Sequence, residues 1–200
     1  MAPKRESYHH GDLRTALLAA GEEVLAESGM EGFSLRQVAR KVGVSHSAPA
    51  HHFGDANGLL RALATEGFRR FLRAMQEAQV GVGDDPREML YASGQGYLAF
   101  AQASPALFRL IFGSDRVKEP DAEMERAGEA AFLHLVGDVE RLRGVSPFEN
   151  EAAMADVMAA WSIVHGFADL LLAGRMKAVQ EKSDAERDAF FRQVFMRVVR

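Results

Sequence analysis

Residues 33–53 read FSLRQVARKVGVSHSAPAHHF, and this stretch decides the fold. Ser34 stands where a helix cap belongs, with Gln37 three residues on to complete a capping box, and Phe33 and Val38 occupy the two positions of a hydrophobic staple. Leu35, Val38, Ala39 and Val42 fall on one helical face. Gly43 supplies the permissive backbone of a sharp helix-to-helix turn. Val44 plugs the junction, and Ser45 caps a second helix expected to run to about His52. This is the layout of a helix-turn-helix, whose second helix enters the DNA major groove N-terminus first.

Outward from that motif the chain reads helical throughout. A first helix over about 12–28 carries Leu17, Gly21, Val24, Leu25 and Ser28 on one side and stops at Gly29. Gly54-Asp55 opens a long fourth helix to about Gln79, broken by Val80-Gly81-Val82-Gly83. Asp85-Pro86 with Glu88, Ser104-Pro105, and Ser146-Pro147 with Glu149 mark later starts by cap and N1 proline. Glu119-Pro120 and Ser183 with Glu186 mark two more. The spacing predicts an all-α fold of about nine helices.

The 200 residues suffice for one compact unit or two small ones, and there is no cysteine for a disulfide, a thiolate metal site or a cysteine nucleophile. No apolar run approaches the ~18–20 residues of a membrane span, and the N-terminus lacks a signal-peptide core. The expectation is a soluble, cytoplasmic protein without a membrane partner. Residues 1–75 carry ten Lys/Arg against eight Asp/Glu, residues 76–200 fourteen against twenty, so the N-terminal part is the end that tolerates phosphates. Five of the seven histidines lie at or before position 52, and their partial protonation near a polyanion would add to that.

On the second helix of the motif, His46, Ser47, Ala48 and His51 are the side chains placed to face DNA. Ser45 and the free N–H groups of the first turn suit a phosphate. His46 suits a base edge, and Ala48 and Pro49 suit a thymine methyl. His52 and Phe53 are expected to pack inward. Ser34, Lys4, Arg5, Arg14, Arg36 and Lys41 complete the candidate DNA contacts. Plain solvent exposure is the alternative for His46 and His51.

The segment from Tyr8 to Leu63 resembles the DNA-binding domain of the TetR family of bacterial transcriptional regulators. Ala19-Ala20, Glu27-Ser28-Gly29, Gly32-Phe33-Ser34-Leu35, Val38-Ala39, Gly43-Val44-Ser45, His52-Phe53 and Leu59-Leu60 carry the likeness, with the opening Tyr8-His9-His10-Gly11-Asp12-Leu13-Arg14. Trp161-Ser162-Ile163-Val164-His165-Gly166 resembles the Trp-x-x-x-His-Gly signature of one C-terminal subgroup. Three positions depart from the family pattern: Ala50 replaces a phosphate-touching Tyr, Ala56 replaces a Lys, and Pro49 sits where Leu or Ile is common. At the fourth helical position Pro49 would forfeit a backbone hydrogen bond.

The resemblance implies a DNA-binding domain at 1–54, with a basic arm at 1–10, and an effector-binding and dimerisation domain at 55–200. It implies an apolar pocket for a small effector, for which Met75, Tyr97, Phe100, Leu107, Phe108, Phe112, Phe132, His134, Met158, Trp161 and His165 are the candidates. Trp161 and His165, four apart, share a helix face. Aromatic and Met stripes at helical spacing are more often core, and a lone His in such a place is more often a satisfied core histidine. The last two helices, about 148–173 and 184–199, present small residues (Ala152, Ala153, Ala155, Ala159, Ala160, Gly166, Ala168) and apolar ones (Phe167, Leu170, Leu171, Phe190, Phe191, Val194, Phe195, Val198). In the family such a pair builds a homodimer, which reads the two half-sites of a palindromic operator together.

The function expected is a ligand-controlled repressor that releases double-stranded operator DNA through a shift of helix four, with no metal, no cofactor and no enzymatic activity. The alternative is a dimeric relative with weakened DNA binding, owing to Ala50 and Ala56, that acts through protein partners.

Overall fold

The computed structural model describes residues 10–117, 119 and 121–197, so Lys4, Arg5 and Val198 lie outside the described residues. Among these residues the chain forms ten α-helices, one 3-10 turn and no strand. They are α1 (His10–Ser28), α2 (Leu35–Val42), α3 (Ala48–Phe53), α4 (Ala56–Ala78), α5 (Pro86–Ala103), α6 (Pro105–Gly113), the 3-10 turn Asp115–Val117, α7 (Ala122–Arg143), α8 (Glu151–Leu172), α9 (Lys177–Gln180) and α10 (Asp184–Phe195). The all-α class stands. The helix beyond the expected nine is α9, whose four residues are too few to show a period.

Several ends follow from their caps. Asp85 accepts the Arg87 N–H at the head of α5, with Pro86 in the first turn. Ser183 and Glu186 form a reciprocal capping box on α10, each side chain bonding the other's backbone N–H. One start is displaced. Ser146 to Glu149 form a turn closed by a Glu149 N–H to Ser146 carbonyl bond, and α8 begins only at Glu151, capped by the Asn150 side chain on the Ala153 N–H.

Packing divides the chain into two units. The first joins the described residues of Met1–Gly67 to Ala106–Met124, and the second joins Phe68–Pro105 to the described residues of Glu125–Arg200. Helix α4 thus contributes its first half to one unit and its second half to the other. In the first unit Leu17, Val24, Leu25, Phe33, Val38, Leu59, Leu60, Leu63, Leu107 and Leu110 are buried. Each fully buried aliphatic side chain of this kind contributes roughly 1.5–3 kcal/mol.

In the second unit α5 packs on α8, and α10 lies against both. Phe191 stacks on Tyr91 at 5.7 Å between ring centres and tilts against Phe167 at 5.1 Å. The Tyr91 hydroxyl donates to Asp188 (2.6 Å), and Arg192 pairs with Glu88 (2.8 Å) over the Tyr91 ring. Phe167, Leu171, Phe191 and Phe195, expected on an association surface, are therefore core residues. Ala152, Ala155, Met158, Ser162 and Leu170 remain exposed on α8, and nothing lies within 4 Å of the Cβ position of Gly166.

By length and composition α8 is the one helix among the described residues that qualifies as a membrane span, with a mean hydropathy of 1.3. Reading by uninterrupted apolar runs misses this. Its Ala153, Val157, Ala160, Val164, Ala168 and Leu171 recur at helical spacing and are buried within the unit.

Candidate nucleic-acid interface and effector region

The turn between α2 and α3 is built as its composition requires. Gly43 adopts φ 76°, where a side chain would be strained, and its N–H and that of Val44 both return to the Ala39 carbonyl, at 2.9 and 3.0 Å. At the head of α2 the Ser34 side chain caps the Gln37 N–H at 3.4 Å. The Gln37 side chain, however, takes the Ser34 hydroxyl (2.8 Å) rather than the Ser34 backbone, and donates to Ser28 (3.2 Å). The expected capping box is thus half formed, and Gln37 instead ties α2 to the end of α1. Phe33 and Val38, the staple pair, are both buried.

Helix α3 starts later than expected. Its N-cap is Ser47, without a side-chain cap bond, and Ser45 opens a preceding turn through the Ala48 N–H to Ser45 carbonyl bond (3.0 Å). Pro49 accordingly sits in the first turn, where its missing N–H has no intrahelical partner to lose, so the expected forfeited bond is not forfeited. Pro49 is also buried, which takes it off the face proposed for thymine contact. Ser45, His46, Ser47 and His51 are exposed; Ala48, His52 and Phe53 are half-buried.

The cations around α3 are not all available. Lys41 pairs with Glu27 (2.6 Å) and Glu23 (2.9 Å) of α1, and these hydrogen bonds hold its ammonium above the usual lysine range. Arg14 lies 5.4 Å from the centre of the Phe53 ring. Arg36 and Arg40 are exposed on α2. At the start of α4 the Asp55 carboxylate accepts the Gly58 N–H (2.8 Å). A Cβ on Gly58 would lie 1.9 Å from the Phe53 carbonyl oxygen, so the two helices meet there only because residue 58 has no side chain.

A link that sequence reading missed joins distant parts of the first unit. The Arg116 guanidinium donates to the Met30 carbonyl, in the loop between α1 and α2, and to Asn57 at the head of α4 (3.0 Å). Arg61 pairs with Glu119 nearby in sequence to it (2.6 Å). Partners more than fifty residues apart leave no periodic signal.

Of the candidate effector residues, Leu107, Phe108 and Phe112 belong to the first unit, where the two Phe rings lie 5.1 Å apart. The remaining eight belong to the second. There the Tyr97 hydroxyl lies 2.7 Å from Nδ1 of His165. Burial pushes that hydroxyl up, so it stays protonated. Phe71 meets Tyr97 edge-on at 4.7 Å and Phe100 at 5.4 Å, and Phe132 lies 5.9 Å from Trp161. Met75 is buried, whereas Met158 is exposed and stands outside this cluster's buried aromatics.

His134 sits with Asp138, Gln79 and Arg141. Gln79 donates to both Asp138 carboxylate oxygens (2.9 and 3.0 Å) and to the Met89 carbonyl, and Arg141 pairs with the same carboxylate. The His134 Nε2 is buried without a hydrogen-bond partner, 3.7 Å from Asp138. Burial pushes this imidazole below the usual histidine range, with Asp138 opposing and Arg141 reinforcing the shift. A separate cleft of about 600 Å³ opens between α5, α8 and α10 over Leu98, Phe167, Leu171 and Phe191; none of the candidate effector residues lines it. No group of three or more metal-ligating side chains occurs among the described residues.

A helix-turn-helix with exposed polar side chains at its turn and second helix, in a chain whose helical second unit holds an aromatic and polar cluster, defines the class of helical DNA-binding regulators. A family model described as bacterial regulatory proteins of the tetR family matches residues 17–63, and one described as a tetracycline repressor-like C-terminal domain matches residues 90–197. The HTH-type transcriptional regulator BetI of Stenotrophomonas maltophilia (strain R551-3) is 31% identical over 133 residues, spanning 64% of this chain and 68% of its own. BetI of Burkholderia thailandensis (strain E264) is 28% identical over 191 residues, spanning 81% and 94%. A solved protein of unknown function from Rhodococcus sp. RHA1 is 30% identical and superposes with a TM-score of 0.79 over 98% of this chain and 100% of its own. The chain belongs to the TetR family of bacterial transcriptional regulators. It is a DNA-binding helix-turn-helix transcriptional regulator.

Proposed function

We propose that this regulator is a homodimeric, non-enzymatic, cytoplasmic repressor that binds a palindromic operator through two copies of α3 and releases it when a small apolar effector enters the second unit. The observation that carries the DNA half is the exposed set Ser45, His46 and Ser47, which lead into the N-terminal end of α3, the end that a helix-turn-helix offers to the major groove, with exposed His51 further along the helix. Arg14, Arg36 and Arg40 flank it, with the Lys4-Arg5 arm as a further phosphate contact. Ser34 and Lys41 hold structural bonds, so their share in DNA contact is secondary.

The effector half is supported by the aromatic cluster of Phe71, Tyr97, Phe100, Phe132 and Trp161, with His165 and His134 as polar groups. Dimerisation is supported by the exposed small-residue face of α8, from Ala155 through Ser162 to the open Gly166. The effector must bind one arrangement of the two recognition helices better than the other, since equal affinity shifts nothing.

Fluorescence anisotropy tests this reading. The protein is titrated into DNA from upstream of its own gene and into a scrambled fragment, with salt stepped through the titration. A footprinted palindrome bound much more tightly than the scramble supports the repressor reading. Equal, salt-abolished binding to both sinks it and favours a regulator that works through protein partners.

A further inference from the structure

One guanidinium holds both ends of the segment that carries α2 and α3. Nη1 of Arg116 donates to the Met30 carbonyl, just ahead of the Ser34 cap of α2. Nε of the same side chain donates to Asn57 (3.0 Å), just past the Gly54 that closes α3. Arg116 itself stands on a packed base. Its backbone N–H donates to the Ser114 hydroxyl (3.1 Å), and the neighbouring Val117 is buried. Upstream, Leu107 and Leu110 of α6 are buried, and a Cβ on Gly67 of α4 would come 3.0 Å from Ile111. Arg61 of α4 pairs with Glu119 beyond the 3-10 turn.

We propose that Arg116 is a positioning residue for operator recognition: without touching DNA it sets the aim of α3, and thereby the separation of half-sites that the dimer accepts. The proposal rests on the reading that two copies of α3 enter the major groove of a palindromic operator.

Met30 and Asn57 lie at the entry and the exit of residues 31–56, so bonds to both fix the tilt of that segment as well as its place. A guanidinium suits this task, because its N–H groups point along set directions in one plane. Bonds donated by a charged group are also stronger than neutral ones. The ties of α2 to α1, from Lys41 to Glu23 and Glu27 and from Gln37 to Ser28, move with α1. Those from Arg116 instead refer the segment to residues 106–124 of the same unit, which rest on α4. Half-sites read by a twofold dimer lie about one helical turn, or a multiple of it, apart. An inserted base pair shifts one half-site and turns it against the other. Recognition helices held at a set tilt cannot follow that change, whereas helices released from Arg116 can.

The test uses the full-length protein in anisotropy titrations against the palindromic fragment, the same fragment with a base pair inserted at its centre, and a scramble. The unmodified protein should lose at least about tenfold in affinity on insertion, and Arg116→Gln less than about threefold. Arg116→Gln should also bind the original palindrome at least about tenfold more weakly than the unmodified protein. Its log–log salt slope should be unchanged, because no phosphate contact has been removed. Asn57→Ala should move both readings in the same direction, and should add nothing in the Arg116→Gln background. A variant that is merely less stable loses active protein alike for both palindromes and keeps the full insertion penalty. That full penalty in Arg116→Gln therefore overturns the proposal, as does additivity of the two substitutions. A salt slope flattened by about one unit also overturns it, since Arg116 would then touch a phosphate itself. An unmodified protein that prefers the palindrome yet tolerates the insertion overturns the proposal and leaves the operator reading standing. Binding that never distinguishes palindrome from scramble overturns the operator reading and this inference with it.

Discussion

The hydroxyl of Tyr97 on α5 and Nδ1 of His165 on α8 lie 2.7 Å apart, and the two rings meet edge-on with 6.3 Å between their centres. One pair of side chains thus joins α5 to α8 by a hydrogen bond and a ring contact together.

Replacing Tyr97 by Phe keeps the ring and leaves the half-buried Nδ1 of His165 without this partner. We expect a loss of about 0.5–1.5 kcal/mol, read as an earlier urea midpoint with unchanged slope. A midpoint within error of the parent would show that water replaces the hydroxyl.

Gly58→Ala forces a methyl into the Phe53 carbonyl and must open the junction of α3 and α4. Overpacking of this kind costs about 1–3 kcal/mol. Operator affinity should fall at least about tenfold, while far-UV circular dichroism reports nearly full helix. Undiminished binding would mean that α3 can be re-aimed without cost.

Lys41→Gln removes a charge already engaged by two carboxylates. The salt slope of operator binding should therefore stay unchanged, whereas Arg36→Gln should flatten it by about one per cation lost. A flatter slope for Lys41→Gln would show that the lysine abandons α1 for DNA.

His134 gives stability a pH dependence of definite sign. Its folded-state affinity for a proton is depressed by burial, so the unfolded chain binds more protons below the ordinary histidine range. Stability is full above that range and is lost as pH falls through it towards the depressed folded value. Thermal melts at pH 7.5 and 5.5 should show a smaller drop for His134→Phe than for the parent. An equal drop would assign the acid sensitivity elsewhere.

Helix ends were legible at Ser34, Gly43, Asp85 and Ser183, because these act on neighbouring backbone groups, but not at Ser146-Pro147, which form a separate turn ahead of the Asn150 cap of α8. The start of α3 was not, since Ser45 and Ser47 are equally good caps and only the three-dimensional turn chooses between them. The exposure of Ser45, His46, Ser47 and His51 was legible, whereas the burial of Pro49 was not, since it follows from that shifted start. The Gln79–Asp138 pair was invisible for a different reason: polar residues near helix ends read as solvated until packing closes over them. Phe191 and Phe195 read as an interface for the converse reason, because sequence cannot say whether the same chain or a second copy covers an apolar face.

The Arg116 bonds to Met30 and Asn57 bear on how the protein can be cut and recombined. The head that carries α3 is assembled from two stretches of chain, with residues 106–124 inserted from far downstream. A fragment ending at residue 54 or 67 would lack buried Leu107 and Leu110 as well as the guanidinium. Chimaeras that graft this head onto a relative's body should therefore carry both stretches together, since a single crossover before α5 would separate halves that fold as one.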